Sequence, residues 1–418
     1  MIVCHVWDAE YPWDVRVEKV CHALTDRGHD VHLVARNRDG RVAEEPLVEA
    51  TVHRLTRLAW LPDRLNSWSM FPAFFNPRWI GLMRRTVRRT GAQLIICRDL
   101  PLAPAALGVA RAVGIPILLD MAENYPAMLR AVWEAGRQRP MDWLVRSPRA
   151  AAAVERWVVQ RVDHVLVVVE ESRERLLALG VSGDRITVVS NTPSLSRLNL
   201  YTESRVPGNS RTLRLVYIGL LEAPRGIGVL LEAVAECRRR GLDAQVDVYG
   251  TGREQREFVT RAGRLGVGPP IVTFHGFVPY DRALRELDRF DIGVIPHVAD
   301  ESWNTTIPNK LFDFMAAGLP VISSDAQPAA RIVRSTRCGE VFRGSDPVDL
   351  VRALERLRDP QHRAALGAAG RRAVAQQYHW ELDAQRLIDV AETLGWPAQR
   401  AHLGGRGQPS RFHRVVSQ

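Results

Sequence analysis

The sequence is nearly without lysine. Of its 57 basic residues only Lys19 and Lys310 are lysines, so a formal net charge of +10 rests almost wholly on arginine. A basic balance points weakly toward anionic partners such as diphosphates, acidic lipid headgroups or nucleic acid. The arginines are scattered rather than striped, which argues against nucleic acid as a partner. Cysteine is scarce too. Cys4, Cys21, Cys97, Cys237 and Cys338 stand far apart, are odd in number and show no two-residue spacing. That argues against a zinc site or a disulfide framework and fits a reducing cytoplasm. No uninterrupted apolar run approaches the roughly 20 residues that cross a bilayer. The opening stretch Met1-Ile2-Val3-Cys4-His5-Val6 reads as a buried strand, too short for a signal peptide's apolar region and without its basic start. The expected location is cytoplasmic, with the inner face of a membrane as an alternative setting.

What is present is an alternation. A chain of 418 residues suits two α/β domains, each with its own core. Apolar strand-like runs and amphipathic helical segments follow one another from end to end, the pattern of parallel α/β sheets. Residues 1–6 read as a strand, Val17, Val20, Cys21 and Leu24 recur at helical spacing, Gly28 stops that helix, and residues 31–35 form the next strand. Further strands are expected at 94–97, 115–119, 165–169 and 186–189. From 193 to 212 the pattern dissolves into Pro, Ser, Asn, Gly and Arg, which marks a linker. It restarts with strands at 213–218, 244–249, 271–274, 292–295 and 320–323 and a helix over 226–239, and helices fill 346–394. The resulting division is an N-terminal domain over 1–195, a linker over 196–212, a C-terminal domain over 213–375, a final helix over 376–398 and a basic, disordered tail over 399–418. Two such halves usually hold their site in the cleft between them.

Residues 66–83 break the rhythm. They are aromatic and nearly uncharged, and Arg84, Arg85, Arg88 and Arg89 follow them. One reading is a loop and helix packed on the domain. The other is a surface that touches acidic membrane lipids or shapes an acceptor pocket.

The most informative stretch runs from Thr305 to Ile322. It reads as a short helix with a Thr as N-cap, Pro308 near its first position and Gly318 at its end, followed by a buried strand. Lys310 falls in the first turn, where exposed N–H groups and the helix dipole already favour negative charge. A cation there suits a nearby anion, and a helix start plus a lysine can receive a diphosphate. Asp313 lies three residues on, on the same face. It could accept hydrogen bonds from two vicinal ribose hydroxyls, or form a surface pair with Lys310.

The phrase Pro308-Asn309-Lys310-Leu311-Phe312-Asp313, with Met315-Ala316-Ala317-Gly318-Leu319-Pro320-Val321-Ile322 after it, resembles the donor-site motif of retaining GT-B glycosyltransferases of family 4, in a subfamily marked by Pro-Asn-Lys. The resemblance covers nearly the whole chain. Tyr11-Pro12, Asp14 to Val17 and Gly28 to Val31 resemble the family's opening unit, and Asp120 to Pro126 its acidic loop. Tyr217-Ile218-Gly219 with Arg225-Gly226, Tyr249 to Gly252, and Phe274 to Val278 resemble its nucleotide-binding domain.

The resemblance implies two Rossmann-like domains facing each other across a cleft, with the C-terminal helix crossing back to the N-terminal domain. It implies transfer of a sugar, with retained configuration, from a nucleoside-diphosphate donor to a hydroxyl acceptor: a glycolipid, a polysaccharide precursor or a natural-product aglycone. No cofactor and no metal are implied, and no pair of aspartates stands one residue apart to suggest otherwise. Lys310, Arg225 and Glu123 are the candidate catalytic residues. Gly219, Arg225, Gly250, Gly276, Phe277, Val278, Thr305, Thr306, Ile307, Pro308, Asn309, Lys310 and Asp313 are assigned to the donor, and Arg16, Glu123 and Asn124 to the acceptor. The chain departs from the family at several points. The usual pair of glutamates is Thr305 and Asp313, the usual basic residue after the strand glycine is Leu220, Asp8 to Trp13 replace a glycine-rich loop, and Ala122 stands for a histidine. Two other readings are a nucleotide-sugar epimerase and a non-catalytic, membrane-associated scaffold of the same fold. A nicotinamide site at Gly250-Thr251-Gly252 lacks the third glycine, where Gln255 stands.

Overall fold

The computed structural model describes residues 1–396 apart from 13, 72, 135, 137–145 and 202–211, so the expected tail and most of the linker lie outside the described residues. The first strand, β1 (Ile2–Val6), is followed by the helix Val15–Asp26. Asp14 starts that helix by accepting hydrogen bonds from the backbone N–H groups of Arg16 and Val17. Its Val17, Val20, Cys21 and Leu24 are buried as the spacing required. Gly28, at φ 86°, turns the chain into β2 (Asp30–Ala35).

The remaining strands of this sheet are β3 (Glu44–Pro46), β4 (Thr51–Arg54), β5 (Leu94–Arg98), β6 (Ile117–Met121), β7 (His164–Val167) and β8 (Ile186–Val188). Their order is β3-β4-β2-β1-β5-β6-β7-β8, with β1 lying parallel to both β2 and β5 and only β3 antiparallel to its neighbour among the described ladders. The second sheet comprises β9 (Leu213–Ile218), β10 (Ala244–Tyr249), β11 (Val272–Gly276), β12 (Ile292–Ile295), β13 (Val321–Ser324) and β14 (Gly339–Phe342). Its order is β11-β10-β9-β12-β13-β14. The chain moves outward from β9 in one direction and then returns to its other side with β12. In parallel α/β sheets such a reversal opens a crevice at the carboxyl ends of the two strands concerned. These are two parallel, Rossmann-like sheets, the fold class that the alternation predicted.

The chain divides into two compact units. One comprises Met1–Asp120, Arg161–His164 and the chain from Leu387; the other comprises Met121–Gln160 and Val165–Arg386. The last helix, Trp380–Gly395, contributes to each. In the first unit its Glu392 stands 3.2 Å from His29, so the end of this helix returns to the opening unit as expected. In the second unit Asp383 accepts a 2.6 Å hydrogen bond from Thr192.

Several boundaries differ from expectation. β6 begins at Ile117 rather than 115, because the Ile115 N–H closes the preceding helix on Ala110 O (3.1 Å) and Pro116 has no N–H to offer a ladder. The helical region 346–394 resolves into Pro347–Arg356, Pro360–Gln376 and Trp380–Gly395. Asp346 and Asp359 start the first two, each immediately before a proline. Residues 66–83 divide into buried and exposed groups. Trp79 and Met83 of the helix Pro77–Thr90 are fully buried, whereas Trp68 and Phe75 are 65% and 62% exposed, as is nearby Trp60 at 77%. Among the described residues no helix is long and apolar enough to cross a membrane. All five cysteines are buried and unpaired.

Candidate functional site

The crevice predicted by strand order is lined by residues that follow β9 and β12. Gly219 continues β9 and bonds through its N–H to Tyr249 O (2.9 Å). Gly250 follows β10 at φ 138°, and a Cβ there would strike the Gly219 carbonyl. Gly276 ends β11, and its carbonyl takes the Gly250 N–H at 2.8 Å. Phe277 beyond it is exposed, while Val278 packs on the core beneath. Glycine at 219 serves a further purpose, since a Cβ would come within 2.6 Å of Lys310 Nζ.

Arg225 ends a short turn held against the loop after β12. The Val298 N–H bonds to Pro224 O at 3.0 Å, and Gly226, at φ 73°, lies so near Pro296 that a Cβ would strike its carbonyl oxygen. The Arg225 guanidinium sits 4.6 Å from the Trp303 ring centroid, and the His297 ring is 3.9 Å from the same indole. Arg225 and His297 thus both contact the Trp303 indole, the imidazole at a tilt of 40°.

The helix expected to begin near Thr305 begins at Lys310 and runs to Ala316. The expectation of a Thr N-cap is corrected accordingly, since Asn309 takes that position. Asn309 precedes the helix without a side-chain capping bond, and Thr305 is spent elsewhere. Its hydroxyl donates to Glu301 O (2.9 Å) and accepts from Asn124 Nδ2 (3.0 Å), and its carbonyl accepts from the Ser172 hydroxyl. Thr306 donates to Ala122 O at 3.1 Å. Ile307 and Pro308 are buried and Asn309 is exposed.

Lys310 is 8% exposed, its Nζ lies 4.2 Å from the Tyr217 ring centroid, and it finds no hydrogen-bond partner among the described residues. Burial, and then the nearby Arg225 charge, pull its proton affinity well below that of an ordinary lysine, against a smaller opposing effect of Asp313. His297 is likewise buried, with both ring nitrogens unpartnered, and burial, Lys310 and Arg225 drive its pKa well below 6.5. Two cations and a neutral imidazole therefore converge without a protein anion bonded to the ammonium. Such an arrangement can receive a diphosphate. Asp313 is 4% exposed and accepts a hydrogen bond from the Tyr280 hydroxyl, so the exposed Lys–Asp surface pair is excluded. Burial and then Asp313 push the Tyr280 phenol well above its usual value.

Two of the residues assigned to the acceptor are engaged by the protein itself. Asn124 is 2% exposed; its amide nitrogen binds Thr305 and its oxygen takes the Ala127 N–H (3.2 Å), so it ties the 122–124 loop to the 305–306 loop. Arg16 belongs to the first compact unit, is 2% exposed, and makes three bonds of 2.6–3.0 Å to Asp120. Burial opposes charge on Asp120, but Arg16 and then Arg98 and His5 prevail and hold its pKa below the usual carboxylate value. Glu123 is exposed beside Asn124. His297, Trp303 and Tyr280 went unnoticed in the sequence. The available signal was a polar residue, His297, directly after the buried run 292–296.

Comparison with known proteins bears on the domains that carry this crevice. Residues 14–192 match the family model of the glycosyl transferase 4-like domain, and residues 212–359 match that of glycosyl transferases group 1. The chain is therefore built from two glycosyltransferase-type domains with the GT-B fold. Among curated relatives, the phosphatidyl-myo-inositol mannosyltransferase of Mycobacterium leprae is 28% identical over 250 residues, covering 59% of this chain and 63% of the relative. The D-inositol 3-phosphate glycosyltransferase of Thermomonospora curvata is 24% identical over 296 residues, covering 66% of each. The chain thus spans a little under two thirds of the length of these relatives. Among solved structures, sucrose-phosphate synthase from Thermosynechococcus elongatus superposes with a TM-score of 0.72 at 17% identity, over 94% of this chain and 98% of that one. Anabaena HepE in complex with UDP gives 0.68 at 14% identity, over 94% and 100%.

Proposed function

We propose that this chain is a retaining glycosyltransferase that moves a sugar from a nucleoside-diphosphate donor to a hydroxyl acceptor, without a metal or other cofactor. The observation that carries the reading is Lys310, a buried ammonium with no acceptor among the described residues at the start of a helix, beside Arg225. A diphosphate would give both cations their counter-charge. As the bond between the anomeric carbon and the leaving phosphate oxygen breaks, charge grows on that oxygen, and Lys310 and Arg225 stabilise it. A phosphate oxygen then takes the proton of the acceptor hydroxyl as its oxygen bonds to the anomeric carbon on the same face. No protein base is required. Asp313, with Tyr280, is assigned to the ribose and Glu123 to orienting the acceptor. The UDP held by the Anabaena fold neighbour supports a nucleoside-diphosphate donor, and the inositol-bearing substrates in the relatives' names support a polyol or glycolipid acceptor.

The test is a melting-temperature panel of UDP-, GDP- and ADP-sugars, followed by transfer assays with and without EDTA and by assignment of the product anomer by NMR. Isomerised donor without acceptor would instead make the protein an epimerase. No shift with any nucleotide would make it a non-catalytic scaffold.

A second reading concerns where the protein works. Trp60, Leu65, Trp68, Phe71 and Phe75 are all exposed, and the arginine-rich helix Pro77–Thr90 follows them. Aromatic groups beside cations suit an anionic bilayer surface. Co-sedimentation with phosphatidylglycerol vesicles, reduced by Trp60→Ser and Trp68→Ser, tests peripheral attachment.

A further inference from the structure

Thr305 leaves recognition of the donor sugar unassigned. Its hydroxyl proton and one lone pair are held by Glu301 O and Asn124, and its carbonyl by Ser172. The group that reads a sugar hydroxyl must come from elsewhere in the crevice.

His297 has the required chemistry. It directly follows β12 at the topological reversal, is 1% exposed, and has a partner on neither ring nitrogen among the described residues. Buried polar atoms without a partner are rare, and a buried imidazole with two of them calls for an explanation. The Trp303 indole, 3.9 Å from the imidazole, and Arg225 on the same indole restrict the ring's orientation. The backbone bond from Val298 N–H to Pro224 O fixes the strand end that carries it beside the Arg225 turn.

The charge state then decides what His297 can bind. Burial and the fields of Lys310 and Arg225 keep the imidazole neutral, with one N–H donor and one lone-pair acceptor. A phosphate oxygen accepts only, so it would leave the acceptor nitrogen unused. A sugar hydroxyl both donates and accepts. Resting on the reading that a nucleotide sugar occupies this site, we propose that His297 hydrogen-bonds a hydroxyl of the donor sugar and positions that sugar beside the diphosphate held by Lys310 and Arg225.

The experiment compares His297→Phe and His297→Asn with the parent protein. Calorimetry measures the binding of UDP, GDP and ADP and of their glucose and mannose conjugates. Monodeoxy analogues of whichever conjugate binds form a second arm. The expected result is that His297→Phe binds the nucleoside diphosphate within about threefold of the parent but loses tenfold or more in affinity for the conjugate. His297→Asn, which keeps a donor and an acceptor, should recover part of that loss. One monodeoxy analogue should bind the parent and His297→Phe alike. Equal losses for diphosphate and conjugate in both folded variants would reassign His297 to the anion site or to packing. Unchanged conjugate binding in His297→Phe would also overturn the proposal. Failure of the parent itself to bind any nucleotide would overturn the transferase reading, and this assignment with it.

Discussion

The ammonium of Lys310 stands 4.2 Å from the centroid of the Tyr217 ring, and that aromatic face is its nearest compensation. A cation–π contact is worth about 2 kcal/mol when desolvated, less than the several kcal/mol that removing an ammonium from water costs. The residue is therefore a strain on the free protein and an asset once an anion is present. Lys310→Met should raise the melting temperature of the free protein by a few degrees while abolishing the shift produced by a nucleoside diphosphate. Turnover should fall by about 100-fold or more. Scanning calorimetry with and without ligand checks the first pair, and a transfer assay the third.

Proton uptake should accompany binding. Burial and Arg225 lower the proton affinity of Lys310, and a diphosphate would raise it. Between the free and bound values each binding event draws in protons, so affinity weakens as pH rises through that window. Titration calorimetry at one mildly alkaline pH, in buffers of differing ionisation heat, measures the uptake directly. It should be clear in the parent protein and close to zero in Lys310→Met.

The pair Arg16–Asp120 should matter for stability. Both side chains are almost fully buried, so removing either leaves an uncompensated charge, at a cost of about 3–5 kcal/mol. Asp120→Ala should lower the urea midpoint strongly, and Arg16→Ala with Asp120→Ala together less than the sum of the two. Because the folded pKa of Asp120 is depressed, its contribution is fully present above the unfolded carboxylate value of about 3.9. It is lost as pH falls through the lower folded value. The gap in stability between parent and Asp120→Asn should accordingly narrow only in strong acid.

Gly226→Ala should be more harmful than a one-carbon change suggests. The residue has φ 73°, and a Cβ would strike the Pro296 carbonyl oxygen. The clash would push the Arg225 turn away from the loop that holds His297. A loss of about 2 kcal/mol in unfolding free energy is expected, with weakened nucleotide binding. Gly241→Ala serves as a control: it has a similar φ of 72° but open space around the added carbon. It should cost less and leave binding unchanged.

Where the sequence was readable, one local property decided the structure. β9, β10 and β12 fell at their expected bounds because their apolar residues are buried, in one run in β12 and interrupted by Arg214 in β9 and by Gln245 and Asp247 in β10. β3, β4 and β14 carry Glu44, Glu45, Arg54 and Glu340 and gave no such pattern. Lys310 stood out because lysine is nearly absent and a helix start was legible around it. The protein partners of Asn124 and Arg16 were not legible, because Thr305 and Asp120 lie 181 and 104 positions away. His297 could not be valued from sequence at all, since its importance comes from two nitrogens without a partner among the described residues and from a contact between its own loop and the Arg225 turn.

The cysteines have a practical consequence. All five are buried, and burial pushes their thiols up, to about 12 at Cys4 and Cys237 and about 11 at Cys338. A thiolate is the reactive form, so the native chain offers little for maleimides or mild oxidants to attack. A single cysteine introduced at exposed Phe277 or Trp60 would then be labelled almost alone. The protein is in effect its own blank for fluorescence or spin-label measurements, and ligand-driven movement could be followed without first deleting any native residue.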